Sequence, residues 1–462
     1  MPSKKVAWIQ PIRLSLLTLL ALMSLGSHAN AADRPPNIVF IFADDLGFAD
    51  LACYGHPYAK TPNIDKLATE GARFTQAYVT GTTCNPSRTG LMTGLYPARY
   101  QKYAANYGFG DRVTITELLN DAGYHTAHFG KWHIGPKETA VHGHYGIDKV
   151  EVMGGSTKDP QGRDARLFSS AEKHLRSLAG SDQPFYLNIW AHSTHFAVSS
   201  PPERADLFKN IAFNRGDFSP AIQDKFDLCE EIGGELKHCM KQYLGDVYGL
   251  DQCVGRLMKT LDELKLRENT IVIFSSDHGP APILIGGKYG RREHAENMLG
   301  YAGIYRGGKH THYEGGLRVP FIIRWPDKVE PGRLDEDSVI NFIDWMPTLA
   351  SIAGIADKLP DQLDGEDVSD IWLGVDRQRN KAMYWRASLG NGTPVMREGK
   401  WKLHLPVRPG AKPELYDLEA DPAETVNLAN TQTDVLKDLS IELRAWADEL
   451  PGSYDKPERK TK

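Results

Sequence analysis

Only five of the 462 residues are cysteine, and no two stand in the tight Cys-x-x-Cys spacing of structural zinc sites. A zinc-held fold is therefore not expected. Cationic excess is missing too: 54 lysines and arginines face 59 aspartates and glutamates, for a formal charge of −5. That excludes the broad basic field of a nucleic-acid binder, so any hold on an anion must be local. The apolar run Leu14 to Leu25 is shorter than the ~20 residues that span a bilayer comfortably. It follows Lys4, Lys5 and Arg13 and precedes the small-x-small site Ala29-Asn30-Ala31. Charge, apolar stretch and small residues in that order read as a secretory signal over 1–31, with a membrane anchor as the alternative. The mature chain is expected to start near Ala32 and to be exported, periplasmic or secreted, with no membrane partner. Export makes disulfides possible. Cys229 and Cys239 are close enough in sequence to staple a loop, while buried thiols are the competing reading for Cys53, Cys229, Cys239 and Cys253.

What is present is α/β patterning. A hydrophobic fraction of 41% suits one large core with a small accessory domain. Continuous apolar runs recur at 37–42, 126–129, 185–190, 270–274 and 319–324, as in strands buried on both faces of a parallel sheet. Helical patterns fall between them at 64–70, 116–122 and 242–264. From about Lys381 the texture changes to short alternating strands at 383–385, 394–397, 401–405 and 415–416, then an amphipathic helix over 433–450. The expected domains are 32–378, then a C-terminal subdomain over 379–455 with a small antiparallel sheet, then a charged tail over 456–462.

Four of the apolar runs end in ionisable side chains: Asp44-Asp45, Lys131 and His133, His192 and His195, and Asp277-His278. Open α/β sheets bind ligands at the carboxyl edge of their strands, which places a site there. Asp44, Asp45, Asp277 and His278 form a candidate metal site. Carboxylate ligands favour Ca²⁺ or Mg²⁺, and the imidazole leaves room for a transition metal. Asp44-Asp45 alone would be an ordinary strand-end turn or helix cap. Successive strand residues point to opposite faces, so both can converge only where strand gives way to loop.

Cys84 lies in the run Thr82-Thr83-Cys84-Asn85-Pro86-Ser87-Arg88-Thr89-Gly90-Leu91-Met92-Thr93-Gly94. That run resembles the signature of type I sulfatases, and further blocks along nearly the whole mature chain are similar to theirs: Thr61 to Ala68, Glu70 to Phe74, Gly130 to His133, Lys309 to Pro320 and Leu415 to Leu418. The resemblance implies an alkaline-phosphatase-like fold, a mixed and mostly parallel sheet between helices with a smaller C-terminal α+β domain. It implies a sulfuric ester hydrolase in which a formylglycine-generating or radical maturase oxidises Cys84 to formylglycine. The hydrated aldehyde attacks sulfur and also contacts one metal ion, Ca²⁺ in preference to Mg²⁺. Pro86 suits the first turn of a helix that Thr82 or Thr83 can cap, and whose N-terminus favours an anion.

The remaining roles are likewise what the resemblance implies. Arg88 holds the formylglycine hydroxyls, Lys131, His133 and Lys309 bind sulfate or the nucleophile, and His195 protonates the leaving alcohol. Many relatives have His-x-Pro where this chain has His195-Phe196-Ala197, and His192 is near enough to be mistaken for the acid. Deprotonation of the second hydroxyl by His133 then expels sulfate and restores the aldehyde. The long segment between Asp277 and Lys309, at the carboxyl edge of the sheet, carries a separate reading from the residues. A sulfated polysaccharide or its oligomers is the expected substrate, with Arg291, Arg292 and His294 binding it and Tyr301 stacking on a sugar ring, and a solvated surface loop is the alternative. A small aryl sulfate, a phosphatase or phosphodiesterase of the same superfamily, a non-catalytic sugar-binding protein and a plain thiol nucleophile are the competing readings.

Overall fold

A computed structural model describes residues 1, 34–135, 143–282, 295 and 299–455. The expected signal and the charged tail thus lie outside the described residues, apart from Met1. Pro35–Lys462 forms one compact unit. No helix among the described residues is long and apolar enough to cross a membrane.

The main sheet is built on β1 (Asn37–Ala43), every residue of which is buried. Its alternate side chains feed two cores. Val39 and Ile41 join the helices Pro62–Thr69, Ala165–Leu178 and Leu236–Glu263 on one face. Ile38, Phe40 and Phe42 join Cys84–Thr93, Ile115–Asp121 and Trp345–Ile352 on the other. Each such side chain contributes about 1.5–3 kcal/mol on burial, which is why the run carries no polar alternation.

The other strands are β2 (Ala72–Tyr78), β3 (His125–Gly130), β4 (Lys149–Val152), β5 (Phe185–Trp190), β6 (Thr270–Ser276), β7 (Arg318–Arg324), β8 (Arg333–Asp335) and β9 (Ile340–Asn341). Their order is β4-β3-β5-β1-β6-β7-β2-β8, with β9 also on β2. β1 pairs in parallel with β5 and β6, and β3 in parallel with β5 and β4. The four strands that end in ionisable residues are therefore neighbours. β7 departs from the expected parallel arrangement and runs antiparallel to both β6 and β2. The connection from β6 to β7 begins and ends at the same sheet edge, so the chain re-enters reversed. That brings Lys309 back to the edge where Asp277 lies.

The second sheet is antiparallel, in the order β10 (Met383–Arg386), β11 (Pro394–Glu398), β12 (Trp401–His404) and β13 (Glu414–Asp417). The helix Thr433–Asp448 covers it, burying Leu443 and Trp446 against Met396, Leu403 and Leu415. None of the five cysteines is in a disulfide. The staple expected between Cys229 and Cys239 is absent. The two are buried thiols instead, and a hydrogen bond from Cys239 lowers the pKa of Cys229.

Candidate active site

β1 ends at Ala43, and the next two residues turn inward together. Asp45 adopts φ 63, a left-handed conformation that aspartate tolerates better than most residues. Its N–H donates to Asp277 Oδ1 at 3.1 Å, tying the end of β1 to the end of β6. Asp44, Asp45, Cys84, Asp277 and His278 each offer a ligand atom, and these atoms lie within 4.8 Å of one another. His278 Nδ1 sits 2.9 Å from Gly279 O, so that nitrogen carries the proton and Nε2 presents its lone pair. Nε2 faces Asp45 Oδ1 at 3.2 Å and Asp277 Oδ1 at 3.5 Å. Three carboxylates and one imidazole, all buried, make a donor set that fits a hard divalent cation.

Cations hold the cluster together. Arg88, fully buried, reaches Asp277 Oδ2 through Nε at 3.2 Å and Nη2 at 2.8 Å. Its plane stacks near Trp190, 4.8 Å from the ring centre. Nη1 is buried with no hydrogen-bond partner among the described residues. Lys131 Nζ lies 2.6 Å from Asp44 Oδ2, and Lys309 Nζ lies 2.8 Å from both Asp45 carboxylate oxygens. Burial opposes ionisation of Asp44, but Lys131, His195 and Arg88 outweigh it and hold the carboxyl well below its ordinary value. Desolvation likewise opposes the Lys309 charge and Asp45 overcomes it, so the ammonium persists at any physiological pH.

Cys84 is the first residue of the helix Cys84–Thr93, so its side chain sits where the helix N-terminus meets the cluster. Thr83 occupies the cap position without a side-chain cap bond. The expected cap is thus missing, and Thr80 Oγ1 instead donates to Pro86 O at 3.1 Å and Ser87 O at 3.0 Å. Cys84 Sγ is 3.2 Å from Lys131 Nζ, 3.3 Å from His278 Nε2 and 3.4 Å from Asp44 Oδ1. Burial, then Asp44 and Asp277, push the thiol pKa well above its usual value.

His133 and His195 stand at the rim. His133 has φ 59, and desolvation, then Lys131 and Arg88, keep its imidazole neutral. His195 Nε2 is 4.0 Å from Asp45 Oδ2, with Nδ1 2.9 Å from Phe196 O. His192 turns away, its Nε2 2.7 Å from Met153 O. Arg291, Arg292 and His294 lie outside the described residues. Tyr301 is not a sugar platform: it is buried edge-on against Phe218, centroids 5.2 Å apart, and its hydroxyl accepts from Ser219 N.

Sequence reasoning missed the supports. Thr194 Oγ1 donates to Asp45 O at 3.3 Å and pairs with Tyr243, whose hydroxyl donates to Asp50 at 2.6 Å. Burial pushes the Asp50 carboxyl up to about 6. None of these belongs to a motif, and Tyr243 in mid-helix reads as ordinary core.

Comparison with known proteins accords with this geometry. The sulfatase family model matches residues 36–355, and the model for the N-sulphoglucosamine sulphohydrolase C-terminal region matches 303–449. Human arylsulfatase A is 30% identical over 86% of this chain and 84% of its own. An N-acetylgalactosamine-6-O-sulfatase of Bacteroides thetaiotaomicron is 32% identical over 88% of this chain and 92% of its own. A solved structure from work on glycosaminoglycan metabolism by Bacteroides thetaiotaomicron superposes with TM-score 0.70 at 27% identity, covering 90% of this chain and 100% of that one. With its mixed sheet, its smaller C-terminal sheet and its buried acidic edge, this chain belongs to the sulfatase family of sulfuric ester hydrolases, within the alkaline-phosphatase-like superfamily.

Proposed function

We propose that this enzyme removes sulfate from carbohydrate sulfate esters, using a formylglycine made from Cys84 and one Ca²⁺ held by Asp44, Asp45, Asp277 and His278. The observation that carries the reading is the position of Cys84. It sits at a helix N-terminus, within 3.4 Å of a lysine, an imidazole and a carboxylate of the acidic cluster. A hydrated aldehyde at that position supplies a nucleophile that can later release sulfate, which a serine ester could not do readily. A divalent ion on the four ligands supplies Lewis-acid polarisation of a sulfate oxygen.

The chain's own residues do the rest. Lys131 and Lys309 offset the negative charge on the sulfate oxygens, which lowers the barrier most where charge shifts during S–O cleavage. Arg88, paired with Asp277 through Nε and Nη2, adds a fixed positive charge beside the cluster. His195 Nε2 gives its proton to the leaving oxygen, and neutral His133 accepts one from position 84. Carbohydrate is favoured over a small aryl ester by the N-acetylgalactosamine-6-O-sulfatase relative, whose chain is matched over 92% of its length. The 30% identity to an arylsulfatase keeps the aryl ester as the second reading. Export through residues 1–31 and action by a maturase complete the proposal.

The test is mass spectrometry of the peptide containing position 84 after co-expression with a maturase, alongside sulfate release across defined sulfated sugars. Thiol-to-aldehyde conversion should track activity. Full turnover by wholly unmodified protein would overturn the formylglycine reading, and turnover of aryl sulfates alone would overturn the carbohydrate one.

A further inference from the structure

The loop after β5 that carries His195 has little regular structure, yet it is held from beneath by side chains with no part in the metal cluster. Asp164 Oδ1 accepts from His192 N at 2.8 Å and Oδ2 from Ser193 N at 3.0 Å. Arg163 Nη1 donates to His192 O at 3.1 Å and also to His195 O, while Nη2 donates to Ala197 O. One guanidinium thus grips three carbonyls of a six-residue stretch, using the fixed fork that lysine lacks. Its two grips at His195 O and Ala197 O flank Phe196, whose carbonyl lies 2.9 Å from His195 Nδ1. Fixing the Phe196 peptide fixes which imidazole nitrogen carries the inner proton, and so aims Nε2 outward toward Asp45.

Arg163 is itself anchored. Its Nε lies 3.5 Å from Asp246 Oδ1 on the helix Leu236–Glu263, and both residues are buried. Burial lowers the pKa of Arg204, which Asp246 only partly offsets, and Arg204 donates to Asp159 O at 3.1 Å and Pro160 O at 2.9 Å. Arg163 in turn lines a cleft of about 320 Å³. Gly155, Ser156, Thr157 and Lys158 line one wall, and His195 and Phe196 the other. Ligand clefts start at about this size.

We infer that Arg163, backed by Asp246, is the positioning residue for His195, and that this cleft receives the sugar unit that carries the leaving oxygen. The inference rests on the sulfatase reading and on His195 as the acid. As the S–O bond breaks, its electrons go to the sugar oxygen and the Nε2 proton of the His195 imidazolium follows them, leaving a neutral ring protonated at Nδ1. A sugar alkoxide needs that proton far more than a nitrophenolate does.

The distinguishing measurement is kcat/KM of Arg163→Met with two substrates, N-acetylgalactosamine 6-sulfate and nitrophenyl sulfate, with thermal melting in parallel. General acid catalysis is worth about 10²-fold or more. The sugar sulfate should lose a factor of about that order, and the aryl sulfate roughly tenfold less than the sugar does. His195→Ala should show the same skew, Arg163→Lys a smaller one, and the double variant should be no worse than His195→Ala alone. Equal losses on both substrates, or losses that multiply in the double variant, would overturn the positioning role. If Arg163→Met fails to fold, Asp246→Asn keeps the volume and should give the same skew at smaller amplitude; its absence counts against the inference. A matured wild-type enzyme inactive on every sulfate ester would instead overturn the proposed function.

Discussion

Arg88 illustrates how much one side chain decides in this site. It is fully buried between Asp277 and the Phe42 and Trp190 rings, and its second carboxylate neighbour, Asp44 Oδ1, is 3.6 Å away. Arg88→Met should leave two buried carboxylates short of a counter-charge and destabilise the protein by about 3–5 kcal/mol. Urea unfolding with and without added Ca²⁺ measures this, and the ion should recover part of the loss. The same charge balance predicts the effect of chelation. Stripping the divalent ion should abolish turnover and lower the melting temperature, and Ca²⁺ should restore both; a metal-free preparation with full activity would refute the metal assignment. Asp277→Asn should weaken the ion's binding, read as a higher Ca²⁺ concentration for half-maximal activity. Lys309→Ala should lower kcat/KM by about 2–4 kcal/mol in transition-state terms, the scale for one lost donor to developing charge.

The elements most sensitive to small changes are the two backbone segments crossing at the edge of the sheet. Gly279 follows His278, and a Cβ there would stand 1.7 Å from Gly315 O. A Cβ on Gly316 would stand 2.1 Å from Thr311 O and 2.5 Å from Gly308 O, in the turn that carries Lys309. These neighbours are backbone and cannot rotate away, so the segments must part. Gly316→Ala should cost about 1–3 kcal/mol of stability, as overpacking does, and displace Lys309 from Asp45. Thermal melting and kcat/KM together check it, and unchanged values for both would mean that the turn relaxes freely. This element also marks a limit of sequence reading. The run at 319–324 is apolar on both faces whichever way it runs, so composition cannot tell parallel from antiparallel. The topology of the connection from Asp277 to Leu317 makes that choice.

Across the whole molecule, the main sheet and the C-terminal sheet are joined by a buried ionic lattice rather than by apolar packing alone. Lys402 on β12 lies 2.8 Å from Glu314 and 2.9 Å from Glu424, while Arg318 on β7 lies 2.9 Å from Glu314. Burial opposes ionisation of Glu314, but Lys402, Arg318 and Arg397 outweigh it and lower its pKa from 4.5 to about 2. A carboxyl whose pKa is depressed on folding stabilises the folded state above its unfolded value, and that stability is lost as pH falls through the folded one. Stability should therefore decline between about pH 4.5 and about 2 from this group. Chemical denaturation across that range checks it, and Glu314→Gln should flatten this part of the profile. Lys402→Met should destabilise by about 3–5 kcal/mol, since it leaves two buried carboxylates without their shared cation. A loss below 1 kcal/mol, the scale of a surface pair, would mean that the lattice is wet.

Local chemistry determined much of this protein in advance. Strand periods depend on neighbours in sequence, so β1, β3, β5 and β6 and their ionisable ends were legible, as were the helix at Cys84 and the small C-terminal sheet. The motif around Cys84 and the acidic pairs Asp44-Asp45 and Asp277-His278 were legible for the same reason, being short and contiguous. The tertiary structure decided everything that depends on which segments meet. It set β7 antiparallel, left Cys229 and Cys239 as thiols, buried Tyr301 among aromatics and turned His192 toward Met153 while His195 faced Asp45. It also brought Asp246 beneath Arg163 and Arg204, 42 and 83 residues of sequence away at the nearer and farther arginine. A buried arginine has no sequence signature, because its burial depends on a carboxylate that only folding supplies.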